Sequence, residues 1–188
     1  MSPVVPTPAP TVAGALNTNA PGYDLVLVVH VLTAVVGLVA VVLAGCSALA
    51  LGRALARGGA IPEALERYYR PGVNWAGRVL FLVPVLGVAL LAMSGGQWGL
   101  ADAWVSAGMA VWAVVAMAAE AVLWLTERRL QEVVAAACGD ERDVDRGTAA
   151  DGPAVTGDAA RWCLRAGVVG LGLGAALVFV GALMVAKP

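Results

Sequence analysis

The ionisable and sulfur-containing side chains of the apolar segments are the residues of this sequence that could carry chemistry. His30, the only histidine, lies inside the first apolar segment, and an ionisable side chain within a membrane segment is a candidate functional residue. Residues three or four apart share a helix face, and His30 shares one with Ala34 and Gly37. Small residues line the places where membrane helices pack closely, so we expect His30 to face protein and not lipid.

Three methionines belong to the same level of the predicted helices as His30. Met93 ends the second apolar segment, and Met109 and Met184 lie in the third and fourth. Thioether sulfur and imidazole nitrogen suit Cu(I), so His30, Met93 and Met109 form a candidate copper site. Other roles stay open, because methionine commonly fills apolar interfaces and a neutral histidine can hydrogen-bond to a neighbouring helix. A haem with two histidine ligands is excluded by the single histidine, which leaves a His/Met haem as the haem alternative. Apart from the candidate copper site, we expect no cofactor.

A second polar pair is expected near the opposite end of these helices. Glu120 lies near the end of the third segment, and Arg78 opens the second at a comparable depth. Ionisable residues in membrane segments usually pair with one another, so we predict a structural Glu120–Arg78 ion pair. A proton-handling role for Glu120 is the alternative. By helix rise it lies about half a bilayer from His30, so the two cannot form one site directly.

Four apolar segments must position these side chains. The chain has 188 residues, of which 60% are hydrophobic and 13% charged. Its apolar segments cover approximately residues 24–52, 78–96, 102–126 and 162–186. Such segments can cross a hydrocarbon core of ~30 Å, so the sequence predicts an all-α, polytopic membrane protein with a four-transmembrane-helix bundle. We expect one membrane domain at residues 23–188, a flexible tail at residues 1–22 and a partly disordered cytoplasmic loop at residues 139–160.

The distribution of basic residues predicts the orientation of the helices. Eleven of the twelve Lys and Arg residues lie in or beside the connections between the first and second and between the third and fourth segments. Basic connections stay in the cytoplasm, so we expect a multi-pass protein of the bacterial inner (plasma) membrane with both termini on the extracytoplasmic side. A lipoprotein signal ending at Cys46 is disfavoured, because no basic side chain precedes the apolar run. The lipid bilayer is therefore the expected partner, and no basic cluster suggests nucleic acid.

A stripe of glycines marks one face of the fourth segment. Gly167, Gly170, Gly174 and Gly181 recur at helical spacing, and Gly170 and Gly174 form a GxxxG pattern. This pattern is typical of closely packed membrane helices. Two partners stay open for the stripe: the small-residue face of the first segment, or a second copy of the chain or a larger membrane complex.

Several runs of the sequence resemble a known family. The runs are Val29-His30-Val31-Leu32-Thr33-Ala34-Val35-Val36-Gly37, Leu86-Gly87-Val88-Ala89-Leu90-Leu91 and Thr126-Glu127-Arg128-Arg129-Leu130, together with Trp104. They are similar to bacterial copper-resistance D-like membrane proteins and to related uncharacterised integral membrane proteins. The first resemblance implies copper passage through the inner membrane, with His30 as the matching position. The uncharacterised relatives imply only a four-helix membrane protein.

Two functions of different classes follow from these observations. The first is a small transporter or metal-handling membrane protein centred on His30. The alternative is a non-catalytic accessory or scaffold subunit, packing against itself or against a larger membrane complex. We expect no enzymatic activity, because the sequence contains no paired carboxylates, no nucleophile constellation and no phosphate-binding loop.

Overall fold

The computed structural model describes residues 22–58, 60–144 and 156–186, and over these ranges the chain forms helices and no strands. The α-helices are α1 (Tyr23–Ala56), α2 (Glu63–Tyr68), α3 (Trp75–Arg78), α4 (Leu82–Met93), α5 (Ala103–Ala118), α6 (Leu125–Val144) and α7 (Thr156–Ala186). A 3₁₀ turn at Val79–Phe81 joins α3 to α4, and π-helical turns at Ala119–Trp124 join α5 to α6. Of the predicted tail, only Gly22 lies within the described residues.

Four helical rods are long and apolar enough to cross a membrane. They are Tyr23–Ala56, Trp75–Met93, Ala103–Gly139 and Gly157–Ala186. Apolar side chains on their outer faces are exposed, including Leu32 (59%), Val85 (63%) and Phe179 (61%). Lipid tails cover such surface without the cost that water would impose. The predicted all-α architecture with four membrane-spanning helices is thus confirmed.

Two helices extend farther than the sequence predicted. Residues 139–144 belong to α6 and residues 156–160 to α7, so these parts of the predicted disordered loop are helical. The middle of that loop, residues 145–155, lies outside the described residues. Gly139 does not end α6, because one glycine costs a helix only ~1 kcal/mol relative to alanine and no proline lies near it.

Helices α1 and α7 form the centre of the bundle. They pack against each other along most of their length, while α4 lies against α1 and α5 lies against α7. Gly167 faces Leu49 and Gly174 faces Val42, so the two central helices are antiparallel. The end of α1 and the start of α7 therefore lie at the same end of the bundle. We call it the basic end, after Arg53, Arg70, Arg78, Arg129 and Arg165.

Close packing of the central pair depends on glycine. Gly170 faces Gly45, and a Cβ atom on Gly170 would lie 2.8 Å from Gly45 Cα and 3.0 Å from the Val41 carbonyl oxygen. Backbone atoms cannot swing aside as flexible side chains can, so a larger residue at Gly170 would separate the helices. Three glycines of the predicted stripe contact α1: Gly170 faces its backbone, whereas Gly167 and Gly174 face side chains.

Gly181 does not belong to this contact with α1. It is exposed, and a Cβ atom there would meet no atom of the described residues within 4 Å. At this level α7 packs on α5 through larger side chains. The Met184 methyl group covers Gly108, 2.5 Å from where a Cβ atom would lie, and Val180 is buried.

A proline in α4 creates a hydrogen-bonding requirement that α5 meets. Pro84 has no N–H, so the Leu80 carbonyl lacks its usual helical donor. Trp112 Nε1 donates to that oxygen at 3.2 Å. The Trp112 ring also meets Phe81 edge to face, with 6.2 Å between the ring centroids. An unpaired carbonyl in hydrocarbon costs several kcal/mol, so this bond compensates for the proline and joins the second rod to the third.

We predict that Gly170→Ala destabilises the bundle by about 1–3 kcal/mol, because the added methyl group must displace the α1 backbone. Gly172→Ala is the matched control, since a Cβ atom at Gly172 meets no described atom within 4 Å. Thermal unfolding of the full-length protein in detergent, followed by circular dichroism, measures both. Equal melting temperatures for the two variants would contradict this account.

We also predict that Trp112→Phe costs about 1–3 kcal/mol, because it keeps an aromatic ring but removes the indole donor to the Leu80 carbonyl. Pro84→Ala restores a backbone donor to that carbonyl, so the same Trp112→Phe change should cost less in the Pro84→Ala background. Thermal unfolding of the four proteins of this double-mutant cycle gives the coupling. Additive effects would show that the indole hydrogen bond does not compensate for the proline.

Candidate functional site

His30 lies on the side of α1 that faces α4. A Cβ atom on Gly87 would lie 3.5 Å from His30 Cε1, so the glycine leaves room for the imidazole. The ring is half-buried and interacts with the backbone of Val83, one helical turn before Gly87. Its Nδ1 atom is buried and has no hydrogen-bond partner among the described residues.

The unpartnered Nδ1 leaves His30 able to bind a ligand. In a histidine with a purely structural role, a hydrogen bond within the fold would occupy this nitrogen. A neutral imidazole carries one N–H group and one nitrogen lone pair, and each needs a partner when it is buried. Leaving a buried polar atom without one costs about 1–3 kcal/mol. A metal ion that reached this nitrogen would accept its lone pair and remove that cost, so His30 offers one nitrogen ligand to a metal ion.

His30 and the three methionines lie on four different helices of the structure, α1, α4, α5 and α7. Met93 ends α4 six residues beyond Gly87, about 9 Å farther along the helix axis. Met109 is half-buried on α5, and Met184 fills the space over Gly108. Within the described ranges, no three His, Cys, Asp or Glu side chains cluster as metal ligands. The residues present therefore supply one free nitrogen ligand, with thioethers on other helices.

Arg78 and Glu120 meet at the basic end. Arg78 Nη1 lies 2.5 Å from Glu120 Oε1, and the guanidinium carbon lies 4.2 Å from the centroid of the Trp124 ring. Ion pairing and the cation–π contact both hold the arginine against the third rod. The π-helical turns that carry Glu120 and Trp124 are a feature often found at functional sites.

Glu127 is the charged residue of this region that the sequence analysis did not single out. It is only 8% exposed, and Asn74 Nδ2 donates a hydrogen bond to its Oε1 atom at 3.2 Å. The Tyr68 hydroxyl faces the same carboxylate. Glu127 follows Glu120 by seven residues, or two helical turns, so the helix face that carries Glu120 was the available signal.

Local sequence explains how the partners of Glu127 are positioned. Asn74 is the N-cap of α3, where its Oδ1 atom accepts a hydrogen bond from the Gly77 N–H at 3.3 Å. Gly77 in turn allows close contact with Trp124, whose Nε1 would lie 3.1 Å from a Cβ atom there. Burial, and then the charge of Glu127, raises the pKa of Tyr68 above its ordinary value. Tyr68 therefore keeps its hydroxyl proton at neutral pH.

Two adjoining hollows at the basic end share Asn74, Glu127 and Gln131. The smaller has a volume of about 20 Å³, room for one water molecule, and Arg78, Trp124 and Arg128 also line it. The larger, which we call the interfacial cleft, has a volume of about 270 Å³. The interfacial cleft is lined by Tyr68, Arg70, Gly72, Val73, Asn74, Trp75, Glu127 and Gln131.

Comparisons with models of protein families, with curated proteins and with solved structures find no match for this chain. The resemblance to copper-resistance D-like proteins therefore stays a prediction that depends on the sequence runs quoted above. Function has to be argued from the two polar regions, one around His30 and one around Glu127.

We predict that Asn74→Ala destabilises the protein more than Asn74→Ser. Alanine removes both the α3 cap, worth about 1 kcal/mol, and the donor to buried Glu127, worth about 1–3 kcal/mol. Serine keeps a capping oxygen but is too short to reach the carboxylate. Thermal unfolding of both variants separates the two contributions. Wild-type stability of Asn74→Ser would mean that the bond to Glu127 adds nothing.

Proposed function

We propose that this protein is a small transport protein of the bacterial inner membrane in which His30 binds the transported cation. The observation that carries the proposal is the buried Nδ1 atom of His30, which has no hydrogen-bond partner among the described residues. Gly87 supports it further, because the residue that faces the imidazole on α4 has no side chain that could donate to Nδ1.

Cu(I) is the cation that we propose as the substrate. Imidazole nitrogen and thioether sulfur are the ligands that suit it, and Met93 and Met109 lie on the two rods adjacent to the central pair. Transport needs binding that is favourable enough for the ion to enter and weak enough for it to leave. One nitrogen ligand, with thioethers on separate helices, fits such transient binding better than a permanently held cofactor.

The orientation that we propose has the basic end in the cytoplasm and both termini outside. Its support is the arginine-rich composition of the connections at that end, since basic connections are retained in the cytoplasm. In this orientation His30 lies in the half of the bundle nearer the outer surface, where α1 begins. Copper arriving from outside would therefore meet the imidazole before it met the basic end.

The alternative of an accessory or scaffold subunit has less support. Its sequence argument was the glycine stripe of α7, and three of the four glycines contact α1 within the same chain. Those three are not available to a second copy or to a larger complex. The argument for His30 is not weakened in this way, because its Nδ1 atom has no hydrogen-bond partner among the described residues.

We predict that His30→Ala weakens Cu(I) binding by the purified protein at least ~10-fold and slows Cu(I) uptake into vesicles that contain it. Thr33→Val is the matched control, because Thr33 lies one turn from His30 on α1 and bonds only the Val29 carbonyl of its own helix, at 2.7 Å. Competition with a coloured Cu(I) chelator measures the affinity. Unchanged binding and uptake in His30→Ala would remove copper transport as the function.

A further inference from the structure

The interfacial cleft presents opposite charges at two depths. The Glu127 carboxylate is 8% exposed and lies at its base, whereas Arg70 is exposed at its rim. Trp75, which is 75% exposed, also lines the opening. A carboxylate deep in the cleft, a guanidinium at its rim and an aromatic ring at its side match a ligand that carries a cation and an anion a few bonds apart.

Glu127 has room for a cationic partner. Its described hydrogen-bond partner Asn74 and its neighbour Tyr68 are neutral, and the nearby Arg78 is held by Glu120 and by the Trp124 ring. A carboxylate can accept about four hydrogen bonds, so these neutral groups do not saturate it. Arg78 attracts the buried carboxylate without forming an ion pair with it among the described residues, so a bound cation would further offset the cost of its burial.

The other oxygens of the interfacial cleft suit an ammonium group with N–H donors. Gln131 Nε2 donates to the Gly72 carbonyl at 3.3 Å, an arrangement that leaves the side-chain oxygen of Gln131 to accept from a ligand. The other acceptors that line the site are Glu127 and the Tyr68 hydroxyl oxygen, which also accepts from Asn74 Nδ2 at 3.5 Å, and a primary ammonium carries three donors. The Trp75 ring adds a surface on which a cation is attracted.

The size and the position of the interfacial cleft further restrict the class of ligand that could bind there. Its volume of about 270 Å³ is far larger than one ion needs and is close to the lower end, ~300 Å³, of small-molecule pockets. The guanidinium of Arg70 suits a phosphate group. Trp75 opens the second membrane-spanning rod, at the level where tryptophan meets lipid headgroups.

We propose that the interfacial cleft binds a primary ammonium group joined to a phosphate, the chemistry of an ethanolamine headgroup, with Glu127 as the counter-ion of the ammonium and Arg70 beside the phosphate. The ligand can come from the bilayer as phosphatidylethanolamine or from solution as phosphoethanolamine. This proposal is independent of cation transport through His30, which lies at a different depth of the bundle.

Binding to the full-length protein in detergent tests the proposal. Native mass spectrometry with phosphatidylethanolamine and phosphatidylcholine, and calorimetry with phosphoethanolamine, are the measurements. Phosphatidylethanolamine should bind at least tenfold more tightly than phosphatidylcholine, whose quaternary ammonium has no N–H donors. Glu127→Gln should lose at least tenfold in affinity for phosphatidylethanolamine. Glu132→Gln, the same change at an exposed site on α6 outside the cleft, should stay within twofold of wild type.

Two further variants keep the test decisive if Glu127→Gln folds poorly. Trp75→Leu changes an exposed side chain and should weaken binding several-fold, and Arg70→Ala should remove the preference for phosphoethanolamine over ethanolamine. Binding of the lipid alone supports a membrane ligand, and binding of both probes supports a soluble ligand as well. Equal affinity for the two lipids, or wild-type affinity in a well-folded Glu127→Gln, overturns the proposal.

Discussion

The backbone contact between α1 and α7 at Gly45 and Gly170 is the constraint on which the rest of the structure depends. Inside a bilayer, apolar side chains gain little from leaving lipid for protein, so helices associate through close packing and polar bonds. The glycines allow this close packing along the central pair, and α4 and α5 attach to opposite members of it. The positions of α4 and α5 along the bundle therefore depend on the antiparallel alignment of these two helices.

The main polar groups of the connections and of the second and third rods have partners. The carbonyl freed by Pro84 receives the Trp112 indole, Arg78 is held by Glu120, and Asn74 serves both the α3 cap and Glu127. Against this background the Nδ1 atom of His30 stands apart, because its lack of a partner is not forced by the fold. A hydroxyl or amide on α4 could have met it, whereas the sequence places Gly87 there.

Much of the fold could be predicted because a helix that crosses the hydrocarbon core needs a long run of apolar residues. Long apolar runs identified the four rods, and the spacing of Gly167, Gly170 and Gly174 identified the packed face of α7. The exposure of Gly181 could not be predicted. Helical spacing shows which residues share a face of α7, but it does not show which neighbouring helix packs against each part of that face. The role of Glu127 was hidden for a similar reason. Its partners, Asn74 and Tyr68, come from a connection more than fifty residues earlier, and no local pattern shows that the connection folds back onto the third rod.

Helix α4 differs from the central helices in how little of it is enclosed by the bundle. Leu90 is the one residue of α4 that is buried, whereas α1 has eight. Local stability follows the number of buried contacts, so a segment held by one such residue separates from its neighbours at lower free energy than the glycine-packed pair does. Helix α4, which faces His30, is therefore held less firmly than α1 and α7 hold each other. If the part of α4 beyond Pro84 moved away from α1, the His30 imidazole would become accessible while the packing of α1 on α7 stayed unchanged.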